Sequence, residues 1–133
     1  QIRYAKNGNK ELEISFYEGK KDGKWTYFFD NQKIARSEEW NKGEKEGAFK
    51  TFNNMDLLIS EQYYKKGKPM GIHKEYYPDG REKHVRVYSK KNILEEEYAF
   101  DDYGVKQVIK ARETKEMKKK KKKAKGKDNS LMN

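Results

Sequence analysis

Gly43-Glu-Lys-Glu-Gly47-Ala-Phe49-Lys-Thr-Phe52 decides the fold, because the chain writes this stretch three times. The other copies are Gly19-Lys-Lys-Asp-Gly23-Lys-Trp25-Thr-Tyr-Phe28 and Gly67-Lys-Pro-Met-Gly71-Ile-His73-Lys-Glu-Tyr76. Gly23, Gly47 and Gly71 stand 24 residues apart, and a fixed period in this range is the signature of a repeat architecture. Tyr4, Phe28, Phe52, Tyr76 and Phe100 keep the same step, as do Phe16, Trp40, Tyr64 and Tyr88. Asn7-Gly8, Asp79-Gly80 and Tyr103-Gly104 fall in one register and supply the positive φ angles of tight hairpin turns.

Each unit reads as strand, tight turn, strand, looser turn. In one unit the strands are expected near Ala48 to Asn53 and Leu57 to Tyr64, with the tight turn at Asn54 to Asp56. The Gly-x-x-x-Gly element is the looser turn, since glycine permits backbone angles that other residues resist. Alternation along a strand sets the Trp25, Phe49, His73 ladder on one face and Phe28, Phe52, Tyr76 on the other. A single unit cannot bury its aromatics, whereas stacked units can through cross-strand ladders. The expected fold is all-β, an elongated and twisted antiparallel sheet of stacked β-hairpin repeats of ~24 residues, without a large closed core. The repeat domain spans residues 1–104, with units near 1–18, 19–42, 43–66 and 67–90 and a degenerate cap at 91–104. In that cap Lys91 and Glu95 replace the glycines, and Glu97 takes the Trp25 column.

Composition fits a thin structure. Of the 133 residues, 33% are apolar and 41% charged, against roughly 45–50% and about 25% in ordinary domains. Ten tyrosines can cover apolar surface while keeping their hydroxyls wet. The net charge of +10 is segregated: residues 105–133 hold 12 Lys or Arg and 3 Asp or Glu. Val105, Val108, Ile109 and Arg112 have helical spacing, so one or two helical turns are expected there. The lysine run that follows is expected to be disordered by its own repulsion.

The Gly19 to Phe28 motif, its copies and Glu75-Tyr-Tyr-Pro-Asp-Gly80 resemble the bacterial variant of MORN repeats, in particular the YwqK-type antitoxins. The resemblance covers Tyr4 to Gly104. It implies a β-hairpin repeat fold and a non-enzymatic, protein-binding role, in the antitoxin form neutralising a toxin by binding it. The lost glycines of the fourth unit and the lysine tail depart from the family pattern.

Cysteine is absent and histidine occurs twice, which removes thiolate chemistry and leaves no converging catalytic or metal-binding set. No enzyme activity, cofactor, metal or small-molecule substrate is expected. His73 is read as a ladder residue, and the Glu95 to Glu97 and Asp101-Asp102 clusters as a solvated face lacking the alternating loop of calcium sites. The Gly-x-x-x-Gly elements lack the following helix and the Lys-Ser/Thr ending of a phosphate loop. Exposed aromatics on a rigid sheet suit partner binding, which makes Trp25, Tyr27, Phe49, Tyr63, His73 and Tyr77 the candidate contacts for a protein partner, a toxin in the antitoxin form. Residues that differ between copies, Lys24, Ala48 and Ile72, would set specificity. Lys118, Lys119, Lys120, Lys121, Lys122, Lys123, Lys125 and Lys127 are the candidates for polyanion binding. They offer charge without base reading, and the alternative function is a peripheral envelope or surface protein held to anionic lipid or nucleic acid by this tail. The compartment is left open by the sequence between cytoplasmic and, if Gln1 follows a cleaved signal peptide, extracytoplasmic.

Overall fold

The computed structural model describes residues 1–131, with side chains described through Lys125. Among the described residues the chain is mostly β: one large, open antiparallel sheet of hairpins and a single C-terminal helix. The strands are β1 (Ile2–Tyr4), β2 (Lys10–Glu13), β3 (Phe16–Tyr17), β4 (Lys20–Lys21), β5 (Gly23–Phe28), β6 (Ile34–Asn41) and β7 (Glu44–Lys45). They continue as β8 (Gly47–Phe52), β9 (Leu58–Lys65), β10 (Lys68–Pro69), β11 (Gly71–Tyr76), β12 (Glu82–Tyr88), β13 (Leu94–Phe100) and β14 (Lys106–Lys110), followed by helix α1 (Lys115–Leu131). The main sheet runs β1-β2-β5-β6-β8-β9-β11-β12-β13-β14, a meander in sequence order, while β7 and β10 pair back on β6 and β9.

Two turn types alternate. At one end of the strands, Phe29 N–H donates to Lys33 C=O (2.8 Å) and Gln32 N–H to Phe29 C=O (2.9 Å). The same pair of bonds closes the turns beginning at Ala5, Asn53, Tyr77 and Asp101, each 24 residues after the last. In each turn the fourth residue has positive φ, from 64° at Asp56 to 91° at Gly80. This is a type I turn followed by a left-handed residue. Asn53 and Asp101 reinforce it, each accepting two backbone N–H groups on its own Oδ1, the local bonding that makes Asn and Asp turn formers.

At the other end the Gly-x-x-x-Gly element is tighter than the sequence suggests. Asn41 faces Glu44 across only Lys42-Gly43, and both turn residues have positive φ, 47° and 90°, the signature of a two-residue type I′ hairpin. The short arms β4, β7 and β10 then run back before the second glycine turns the chain into the next long strand. Successive elements are tied together, with Gly43 N–H on Lys21 C=O (2.7 Å) and Gly67 N–H on Lys45 C=O (2.9 Å). Asp22 and Glu46 carboxylates accept the N–H of Lys42 (3.0 Å) and Lys66 (2.7 Å).

The fourth unit departs from this plan. Without glycines at 91 and 95, the chain passes from β12 to β13 through another five-residue turn, Ser89 to Ile93, with Asn92 at φ 65°. The sheet does not stop there, because β13 also pairs with β14. The helical turns expected over Val105 to Arg112 are thus replaced by an edge strand at Lys106–Lys110, where β-branched Val108 and Ile109 suit the ladder that β13 offers. The lysine run, expected to be disordered, lies in α1. Lysine is a good helix former, and Thr114 caps the helix, its Oγ1 accepting Met117 N–H (3.2 Å). Among the described residues no helix is long and apolar enough to cross a membrane.

Gly47 provides a test of the turn geometry. It sits at φ +113°, and a Cβ there would strike the Glu39 carboxylate, which accepts Ala48 N–H at 2.7 Å. Gly71, at φ +75°, has nothing within 4 Å of such a Cβ. Gly71→Ala is expected to cost about 1–3 kcal/mol of backbone strain, and Gly47→Ala about 1 kcal/mol more for the displaced hydrogen bond. Urea unfolding of both variants measures the difference; equal losses would contradict it.

Candidate functional site: an aromatic spine and the face behind it

Strand register sorts the side chains. Trp25 pairs with Glu38, Phe49 with Gln62 and His73 with Arg86, so these residues share one face. Gly23, Gly47 and Gly71 pair with Trp40, Tyr64 and Tyr88 on that same face. The result is a spine of ring contacts, edge-on for Phe16 to Trp25 at 5.2 Å, Trp40 to Phe49 at 5.4 Å, Phe49 to Tyr64 at 5.1 Å and Tyr64 to His73 at 5.4 Å, and tilted for His73 to Tyr88 at 4.8 Å. Each such pair contributes about 0.5–1.5 kcal/mol beyond its buried area.

The short arms cover the spine. Lys21 Nζ lies 4.5 Å from the ring centres of both Trp25 and Trp40, which joins the first aromatic pair to the rest. One period later, Lys45 Nζ lies between Phe49 (5.1 Å) and Tyr64 (4.6 Å). Partly desolvated cation–π contacts of this kind are worth about 0.5–2 kcal/mol. At the third position Pro69 replaces lysine.

Beside the rings runs a polar column, also at the 24-residue step. Glu38 is 4% exposed and accepts Trp40 Nε1–H at 3.0 Å while pairing with Arg36. Gln62 accepts the Tyr64 hydroxyl at 2.9 Å. Arg86 donates to Glu97 at 3.0 Å, and His84 Nε2 lies 2.7 Å from the same carboxylate. The Arg86 hydrogen bond holds the Glu97 carboxyl below its ordinary value, with His84 adding to it and burial opposing. Glu97 thus fills the ladder position after His73 with an ion pair rather than a ring.

Trp25, Phe49 and His73 are 7%, 4% and 8% exposed, so the spine encloses them and presents little of each ring outward. Tyr27 lies on their face, half-buried, its hydroxyl pKa raised by burial and then by Glu38. Tyr63 lies on the opposite face, pairing with Ala48. Tyr77 belongs to a tight turn, where its hydroxyl donates to Phe100 C=O at 2.6 Å. The six candidate aromatics therefore do not form one surface. Lys118–Lys123 and Lys125 are exposed along α1; Lys127 lies in the helix, but its side chain is outside the described residues.

The face behind the spine carries a second row. Cross-strand register sets Lys24 opposite Glu39, Ala48 opposite Tyr63, Ile72 opposite Val87, and Val87 opposite Glu96. The row runs apolar through Ala48, Tyr63, Ile72 and Val87, with charge at Lys24, Glu39 and Glu96 at its ends. Ile72 is 47% exposed. Sequence reasoning found Lys24, Ala48 and Ile72 as departures between copies, but it did not find their partners Glu39, Val87 and Glu96, which only the strand register supplies. Among the described residues, no three His, Cys, Asp or Glu side chains are grouped to hold a metal.

His73 gives the spine a pH dependence. Burial lowers its pKa, against backbone hydrogen bonding to Tyr63 and Met70 that raises it, and Nε2 stands 2.8 Å from Tyr63 C=O. A depressed pKa means that the unfolded chain takes up the proton first, so stability is complete above about 6.5 and falls as pH drops toward the folded value. Thermal melts at pH 7.5 and 5.5 should show this loss in the parent protein and a smaller one in His73→Phe, which restores the ring type of the Phe49 position. The Glu97 contribution falls in a separate window below about 4.5. An unchanged loss in His73→Phe would remove His73 as its source.

No protein-family model matches the chain, and no curated protein matches it. Among solved structures, a chain in the crystal structure of the GtfA/B complex bound to UDP and GlcNAc aligns with 84% of this chain at 16% identity and a TM-score of 0.35. This chain covers 22% of that protein's length, and at that level the likeness assigns no function.

Proposed function

We propose that the protein is a non-enzymatic, MORN-like β-hairpin repeat scaffold that binds another protein through the face behind its aromatic spine. The observation that carries this reading is the division of labour between the faces. The glycines kept at the 24-residue step and the rings of the Trp25 and Trp40 columns are used up in the turns and the spine. Positions that vary at the same step, Lys24, Ala48 and Ile72, stand together on the opposite face in one row. An apolar centre containing a tyrosine and rimmed by charges of both signs is the make-up of a protein-binding patch. The resemblance to YwqK-type antitoxins supplies the specific form: a toxin neutralised by occlusion against this row.

Ile72→Glu tests the proposal. The side chain is exposed, so the melting temperature should stay within a degree or two of the parent, while recovery of a stoichiometric protein partner from the native organism should fall about 30-fold, the scale of a hot-spot loss of 2 kcal/mol. A partner retained equally by Ile72→Glu, or no stoichiometric partner with the parent protein, would count against the row.

A further inference from the structure

The lysine run of α1 is free of the protein-binding face and has its own geometry. At about 100° per residue, the six consecutive lysines Lys118–Lys123 point all round the helix axis, leaving no gap wider than about 100°. Lys115 and Lys125 extend this array at either end. Among the described lysines of the run, Lys121 alone makes an ion pair, to Glu113. Over Lys115–Lys125 the helix has no apolar face, since Met117 and Ala124 are the only apolar residues there.

That arrangement discriminates between polyanions. A lipid surface is flat and reaches one side of a helix, and helices that lie on membranes offer it an apolar stripe; here about half the lysines would point away from the bilayer. A groove with phosphates on both walls reaches both flanks. The major groove of B-form DNA is about 12 Å wide and admits one α-helix, whose diameter with side chains is about 10–12 Å. From this fit we infer that α1 docks in the major groove of duplex DNA, held by phosphates on both walls. Lysine ammonium groups without arginine, asparagine or glutamine forks give the contact no base preference.

The test uses the full chain with a mixed-sequence 20-base-pair DNA duplex and, separately, phosphatidylserine vesicles, titrated from 50 to 300 mM salt. With eight lysines in the Lys118 to Lys127 stretch, contact on both flanks predicts a log–log slope steeper than roughly −4 and bounded by roughly −7, at about 0.9 per neutralised phosphate. One-sided contact by half of them gives roughly −4 or shallower. Replacing Lys118–Lys123 together by glutamine keeps a good helix former at every position and should lower duplex affinity about 100-fold or more at 50 mM salt, with helicity checked by circular dichroism. Replacement by arginine should retain binding. A slope of about −4 or shallower, affinity unchanged in the glutamine variant, or vesicle binding that outlasts duplex binding as salt rises overturns the proposal.

Discussion

Phe49 touches an aromatic ring on each side, Trp40 at 5.4 Å and Tyr64 at 5.1 Å, and everything else in the sheet is arranged so that this contact can repeat. A single-layer sheet has no second layer to bury its apolar side chains against. Among the described residues the buried hydrophobic ones are only Trp25, Phe49 and Val85. Cohesion has to come from neighbour to neighbour along the sheet, as it does in repeat proteins generally. The type I′ element returns a short arm that lays Lys21 and Lys45 against the rings.

The same dependence explains where the pattern ends. Asp22 and Glu46 each accept an amide of the next type I′ turn, but the residue one period on is Met70, which cannot. Position 91 lacks the glycine that such a turn needs. The element therefore disappears after β12, and with it the arm that would cover another ring. Tyr88 is the last member of the spine, and Glu97 closes the face with an ion pair to Arg86 and a hydrogen bond to His84. Loss of the turn, the arm and the ring at one place is a single structural event.

Much of this was legible in the sequence because period, turn residues and alternation all pointed the same way. The strands expected near Ala48 to Asn53 and Leu57 to Tyr64 stand at Gly47–Phe52 and Leu58–Lys65, and the ladders fall on opposite faces. What escaped depended on partners distant in the chain. Val105, Val108 and Ile109 carry a helical spacing, yet the free edge of β13 recruits them as a strand. Lys42 gives no sign of positive φ until Gly43 N–H is seen bonded to Lys21 C=O. For the lysine run, propensity and capping outweigh repulsion that costs only about 0.2–0.5 kcal/mol per i,i+4 pair. The candidate surface was half legible, through Lys24, Ala48 and Ile72, because register cannot be read from one strand alone.

The two faces of the sheet consequently carry different physical constraints. A change at Trp25 or Phe49 disturbs a ring, its cross-strand polar partner and the lysine lying over it, and one at His73 disturbs a ring and its partner Arg86, so these positions favour flat side chains of similar reach. A change at Lys24, Ala48 or Ile72 meets a cross-strand neighbour and solvent. Because each unit contacts only its neighbours, such a change is paid for locally and leaves the spine intact. Three different residues at equivalent positions then produce a row with a charged end and an apolar centre, and identical side chains at those positions could not. The spine keeps its chemistry from one step to the next, while the row through Lys24, Ala48 and Ile72 changes chemistry at every step.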